Sequence, residues 1–213
     1  MLAAAPADLR PAREMTVRLI AACLLALTLA PAPADAAPKA KVLLLQPLVD
    51  ELTPAGVDGA FSKEQERAIK RSEACLQQDG NWLRAQRDEV PVGQIYELVG
   101  GAVVCYQGAE KKVTEAGEAA APILAWTVAR RHYIESFRSY LWALDAKLSG
   151  DKRHVCQRLK EAEHEGVAAA GAADGLVDRY EKAPAKTLAA QLMADVKGLN
   201  EAILAEVKNQ RCE

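Results

Sequence analysis

Two short spacings in this chain could hold a metal or move a proton. Glu161 and His164 form Glu-x-x-His, and His132 and Glu135 form the reverse, His-x-x-Glu. Either spacing sets an imidazole and a carboxylate on one helix face, and ferritin-like di-iron bundles use two such Glu-x-x-His units with two further glutamates. That set is incomplete here. The forward motif occurs once, Ala162 and Gly166 occupy the neighbouring apolar seam, and the last helical stretch offers Glu201 and Glu206 without a histidine. Ser136 neighbours His132 and Glu135, but three groups on one rigid helix face cannot form a hydrolase triad, and no G-x-S-x-G turn occurs. The expectation is no catalytic residue, no metal and no cofactor. Glu161 to Glu165 reads as a solvated charged face, and His132 reads as a surface histidine. An inward meeting of the 132/135 and 161/164 pairs would run against the apolar periodicity.

A third group is more informative. Arg130 falls on the apolar stripe of its segment, between Trp126 and Tyr133. A buried guanidinium needs a carboxylate partner, or its head must reach water past its own stem. A structural ion pair is the favoured reading. The functional alternative is a cation in an aromatic-walled pocket that receives an anionic ligand. Trp142 and Arg138 lie off the stripe, on the side of Arg131, and read as packing against the second hairpin ahead of an exposed patch for a partner.

The segment that positions these residues is Pro122 to Leu148, which carries Trp126, Tyr133, Phe137, Tyr140 and Trp142, half the aromatic residues of the chain. Ile123, Trp126, Tyr133, Ile134, Phe137, Leu141, Leu144 and Leu148 recur at three- and four-residue steps, predicting a buried helix at the centre of a bundle. Four cysteines lie outside the N-terminal apolar run: Cys75, Cys105, Cys156 and Cys212. In an antiparallel helical hairpin, residues equally far from the turn lie at one height. Cys75 and Cys105 are centred on residue 90, beside Pro91, and Cys156 and Cys212 on Pro184. Both centres fall at a proline-marked break. The predicted pairs are therefore Cys75–Cys105 and Cys156–Cys212, each closing a hairpin and each stabilising by about 3–4 kcal/mol through loop entropy. A four-thiol metal site or a thiol oxidoreductase is disfavoured by the absence of C-x-x-C.

Periodicity outlines the other helices. Ser62 and Gln65 form a capping box, followed by Ile69, Leu76, Leu83 and Val90 at seven-residue intervals, one apolar seam that runs through Asp79-Gly80-Asn81, where a kink or break near Trp82 is the alternative. A second helix spans about Pro91 to Gly117, with Gly101 and Gly108 beside Cys105 as places for a close backbone. Asp151 caps a third outer helix. Its seam of Val155, Leu159, Ala162, Gly166, Ala169, Ala173, Leu176 and Tyr180 is rich in small residues and calls for a close neighbour. A last helix starts near Pro184 and carries Leu188, Leu192, Val196, Leu199, Ile203 and Val207. Apolar/polar alternation and Asn-Gly hairpin signals are missing, so the fold class is all-α, about five helices in two disulfide-stapled hairpins around the aromatic helix.

The chain begins with a different texture. A basic head at Arg18, the run Leu19 to Ala30 and the small-residue tract through Ala34-Asp35-Ala36 match a secretory signal cleaved after residue 36, with Met15 the expected true start. The twelve-residue run is too short for a membrane span, which takes about 20 residues, and Cys23 stands too near Arg18 for a lipoprotein signal. Residues 37–60 read as an N-terminal arm and 61–213 as the bundle domain. Removing residues 1–36 takes away equal numbers of acidic and basic groups, so the net charge stays at −2 and offers no basic field for nucleic acid. These observations predict an exported protein, periplasmic or extracellular, that binds another envelope protein or serves a structural role without catalysis. A small-molecule carrier with an aromatic pocket anchored by Arg130 is the alternative. A metal-dependent enzyme using Glu161 and His164, with His132 and Glu135, comes last.

Overall fold

A computed structural model describes residues 63–117 and 121–212, all within the unit Ala40–Glu213. The expected signal, the N-terminal arm and the Ser62 cap lie outside the described residues, as does the Ile69 side chain. Among the described residues the chain is all-α: α1 (Lys63–Arg87), α2 (Val92–Glu115), α3 (Ala121–Leu148), α4 (Lys152–Ala173), the single turn α5 (Leu176–Arg179) and α6 (Ala183–Gln210).

The connections follow from local chemistry. Just past α1, Glu89 takes the left-handed region at φ 55°, while Val90 N–H closes back on the Ala85 carbonyl at 3.0 Å. Pro91 then starts the next helix in a place where its missing N–H has no partner to lose. Gly150, at φ 77°, reverses the chain after α3, and the Asp151 side chain accepts from the His154 N–H at 3.1 Å, the predicted cap. α1 pairs with α2, α4 pairs with α6, and α3 lies between these hairpins, packed chiefly on α4 and α2. Both predicted disulfides are present. Cys75–Cys105 joins α1 to α2 with Cα atoms 5.5 Å apart, and Cys156–Cys212 joins α4 to the end of α6 at 5.2 Å.

The small-residue seam of α4 is buried along its whole length, and it continues past the end of α4 at Ala173 through Leu176 and Tyr180. Gly175, at φ 72°, allows that break. Gly166 is where the neighbours come closest: a Cβ there would collide with the Asn200 side-chain oxygen and stand 3.2 Å from Ser136 Oγ. The space lets Asn200 donate to the Gly166 carbonyl at 3.0 Å and Ser136 donate to the Ala162 carbonyl at 2.7 Å.

Several sequence expectations shift. α1 does run unbroken through Asp79-Gly80-Asn81, without the alternative kink, but the seam it buries is a different one. Its buried face is Ser72, Cys75, Asp79 and Trp82, with Leu76, Leu83 and Val90 only half-buried beside it. Cys75 must face α2 to form its bridge, and residues three or four away follow it inward. The neighbours of Gly101 and Gly108 are the Gln78 and Arg71 side chains of α1, not a backbone. Leu148 is exposed, because α3 has by then reached its terminal turn. On α6 the buried stripe is Ala185, Ala189, Leu192, Val196, Leu199, Ile203 and Glu206, so Glu206 takes the place expected of Val207. Glu206 is compensated there by Lys147 Nζ and Gln210 Nε2, each at 2.7 Å.

Candidate functional site

The polar residues of α3 form two clusters on different sides of the helix. The first is closed. The Asp79 carboxylate accepts from Trp82 Nε1 at 3.0 Å, Tyr106 OH at 2.6 Å, and Arg130 Nε and Nη2 at 3.2 and 3.1 Å. Arg130 also stands over the Tyr133 ring, 4.9 Å from its centroid, and Nη1 lies 3.8 Å from Asp195 of α6. Burial alone would pull the guanidinium pKa down, but Asp79, ahead of Tyr106, Tyr133 and Asp195, raises it, so its charge is permanent. Burial and then Asp79 push the Tyr106 phenol well above its ordinary range, which keeps it a donor. Asp195 is raised by burial, with Arg130 opposing.

The second cluster is open. Arg131, the next residue, turns toward α2 and pairs with Glu110, while its Nη1 donates to Glu135 Oε2 at 2.6 Å. Gln107 Nε2 donates to the other Glu135 oxygen at 2.9 Å. Arg131 Nη2 lies 2.9 Å from His132 Nε2, and His132 Nδ1 lies 2.7 Å from Glu165 Oε2 on α4. A guanidinium can only donate, so Nε2 is the acceptor and Nδ1–H donates to Glu165. Burial raises the Glu135 pKa; Gln107 and Arg131 oppose that shift, while Glu165 adds to it. Glu135 and Glu165 line a cleft of about 570 Å³ among α2, α3 and α4, which Arg138, Lys160, Glu161 and His164 also border.

The sequence-predicted residues therefore separate. Arg130 and Tyr133 belong to the closed cluster. Trp126 is buried, its ring 6.4 Å from Tyr106. Trp142 lies at the bundle surface between hairpins, its ring 5.2 Å from Tyr96 of α2, with the Arg158 guanidinium of α4 over it. It touches both hairpins and still keeps 36% of its surface exposed. Arg138 stacks on Tyr96 and donates to its hydroxyl at 2.8 Å. His132 is half-buried between α3 and α4, not on a free surface, and the polar faces of these helices do meet across the cleft. Glu165, not Glu161 or His164, reaches His132. Periodicity and motif spacing do not single out Asp79, Glu110, Glu165 or Asp195. Asp79 does carry a usable signal, since it stands four residues after Cys75 and so shares the face that the disulfide turns inward.

Compared with protein-family models, curated proteins and solved structures, the chain matches none.

Proposed function

We propose that this chain is an exported, non-catalytic binding protein of the cell envelope, recognising a polar segment of another envelope protein through the cleft of α2, α3 and α4. The observation that carries this reading is the contrast in how the two polar clusters are used. Arg130 is committed to Asp79 inside the bundle, whereas charged side chains of both signs border the cleft among α2, α3 and α4. Mixed charges at a concave rim favour partner discrimination and steering over raw affinity. Two disulfides suit an oxidising compartment. Among the described residues no helix is long and apolar enough to cross a membrane. The internal pairing of Arg130 supports a structural role for it over that of a ligand anchor.

A photo-crosslinking residue placed at Gln157, on the cleft rim, tests this in the native envelope. The expected outcome is one discrete adduct with another envelope protein, weakened by Lys160→Glu and not formed from Gln191 on the solvent side of α6. Equal labelling from both positions, or no adduct from the cleft, defeats the reading.

A further inference from the structure

We propose that His132, Glu135 and Glu165 bind one divalent transition-metal ion at the floor of the cleft. This site stands on its own geometry and does not depend on the protein-binding reading. The three side chains can each direct one ligand atom to a common point, all within 4.8 Å of one another. His132 Nδ1 lies 2.7 Å from Glu165 Oε2 and 3.9 Å from Glu135 Oε2. Bonds of about 2.0–2.2 Å to nitrogen and oxygen hold neighbouring ligand atoms roughly 3–4 Å apart, so small side-chain rotations complete the set.

Two independent features mark the place as prepared. Its ligands come from opposed helices whose spacing is fixed behind them, by Ser136 on the Ala162 carbonyl and by the room at Gly166. Glu135 is oriented from outside, by Gln107 on one oxygen and Arg131 on the other, the kind of support that metal-ligating carboxylates need. The cleft opens onto Glu135 and Glu165, which leaves coordination positions for water or a partner's donor atom. One imidazole with two carboxylates suits zinc, manganese or ferrous iron better than calcium or magnesium. On binding, Nδ1 gives its lone pair to the ion and the ring proton moves to Nε2, so the planar Arg131 guanidinium swings as a unit away from Nε2, loosening its bond to Glu135 while Glu110 keeps it nearby.

The test uses the exported chain with both disulfides formed, its affinity tag removed and metal stripped by chelator, titrated calorimetrically with zinc ion alone. We expect one saturable site per chain. His132→Asn and Glu165→Gln should each weaken it by at least about tenfold, while His154→Asn, at the far end of α4, leaves it within about threefold. Imidazole nitrogen spectra of the unmutated protein provide a second readout that no folding defect can obscure: the His132 Nδ1 resonance should shift on adding zinc. No saturation below about 1 mM, a smaller loss in either ligand variant, an equal loss in His154→Asn, or an unmoved His132 resonance overturns the site.

Discussion

Consecutive arginines on α3 meet opposite surroundings. Arg130 points among Asp79, Tyr106 and Tyr133, its side chain one-tenth exposed and its carboxylate partner almost wholly buried. Arg131 points at Glu110, Glu135 and His132, where the side chains keep roughly a sixth to a third of their surface. The closed cluster pairs Arg130 with Asp79 and surrounds that carboxylate with hydrogen-bond donors. The open cluster sets three carboxylates against one guanidinium and an imidazole, at the edge of water. α3 is therefore central in two senses. One side of it locks the first hairpin, and the other carries charge that a ligand could still complement.

The largest expected effect breaks the closed side. Arg130→Met should cost about 3–5 kcal/mol in urea denaturation, because it strands the Asp79 charge in the bundle. Adding Asp79→Asn should recover at least about 1 kcal/mol of that loss, since the amide oxygen still accepts a hydrogen bond while the unpaired charge is gone. If the double variant is no more stable than Arg130→Met, the cluster is held by packing and the contrast with the cleft loses its electrostatic basis.

Much of this architecture is legible in the order of the amino acids. Cysteine positions about two proline-marked turns predict both disulfides, and three- and four-residue apolar steps place α3 and the full buried seam of α4. What stays hidden has one physical cause: a polar residue facing inward looks like a polar residue facing water. Ser72 and Asp79 interrupt the apolar stripe of α1, so the apparent seam slides to Leu76 and Leu83. Glu206 displaces Val207 in the same manner. His132 and Glu165 read as solvent-facing because periodicity detects only apolar contact, whereas α3 and α4 also meet along a polar edge. Their meeting depends on Gly166, whose packing role is visible in the small-residue seam but whose consequence for the cleft is not.

A smaller effect therefore tests the frame behind the open cluster. Gly166→Ala gains helix propensity of about 1 kcal/mol, yet its methyl would strike the Asn200 amide. Overpacking of about 1–3 kcal/mol should outweigh the gain, giving a net loss of up to about 2 kcal/mol. Asn200→Ala in the same background should reduce the penalty. A Gly166→Ala variant as stable as the parent would mean that α4 and α6 can separate without cost, and that the cleft floor is less fixed than its hydrogen bonds suggest.

The smallest effect lies within the open cluster and is read as a pH trend, not as a single stability. Burial, helped by Glu165 and opposed by Gln107 and Arg131, raises the Glu135 pKa in the folded chain. The folded state thus binds that proton more tightly than the unfolded state does. Stability from this group is fully present below the unfolded carboxyl pKa of about 4.3, and is lost as pH rises through the folded value. Glu135→Gln removes the titration while keeping an oxygen for Gln107. With chelator present, the melting temperature of the variant relative to the parent should climb between pH 4 and pH 7. The absolute difference at either pH also contains the lost pairing with Arg131, so only the slope isolates the proton. A flat or falling difference would mean that Arg131 outweighs burial at this carboxylate, making the open cluster as internally balanced as the closed one.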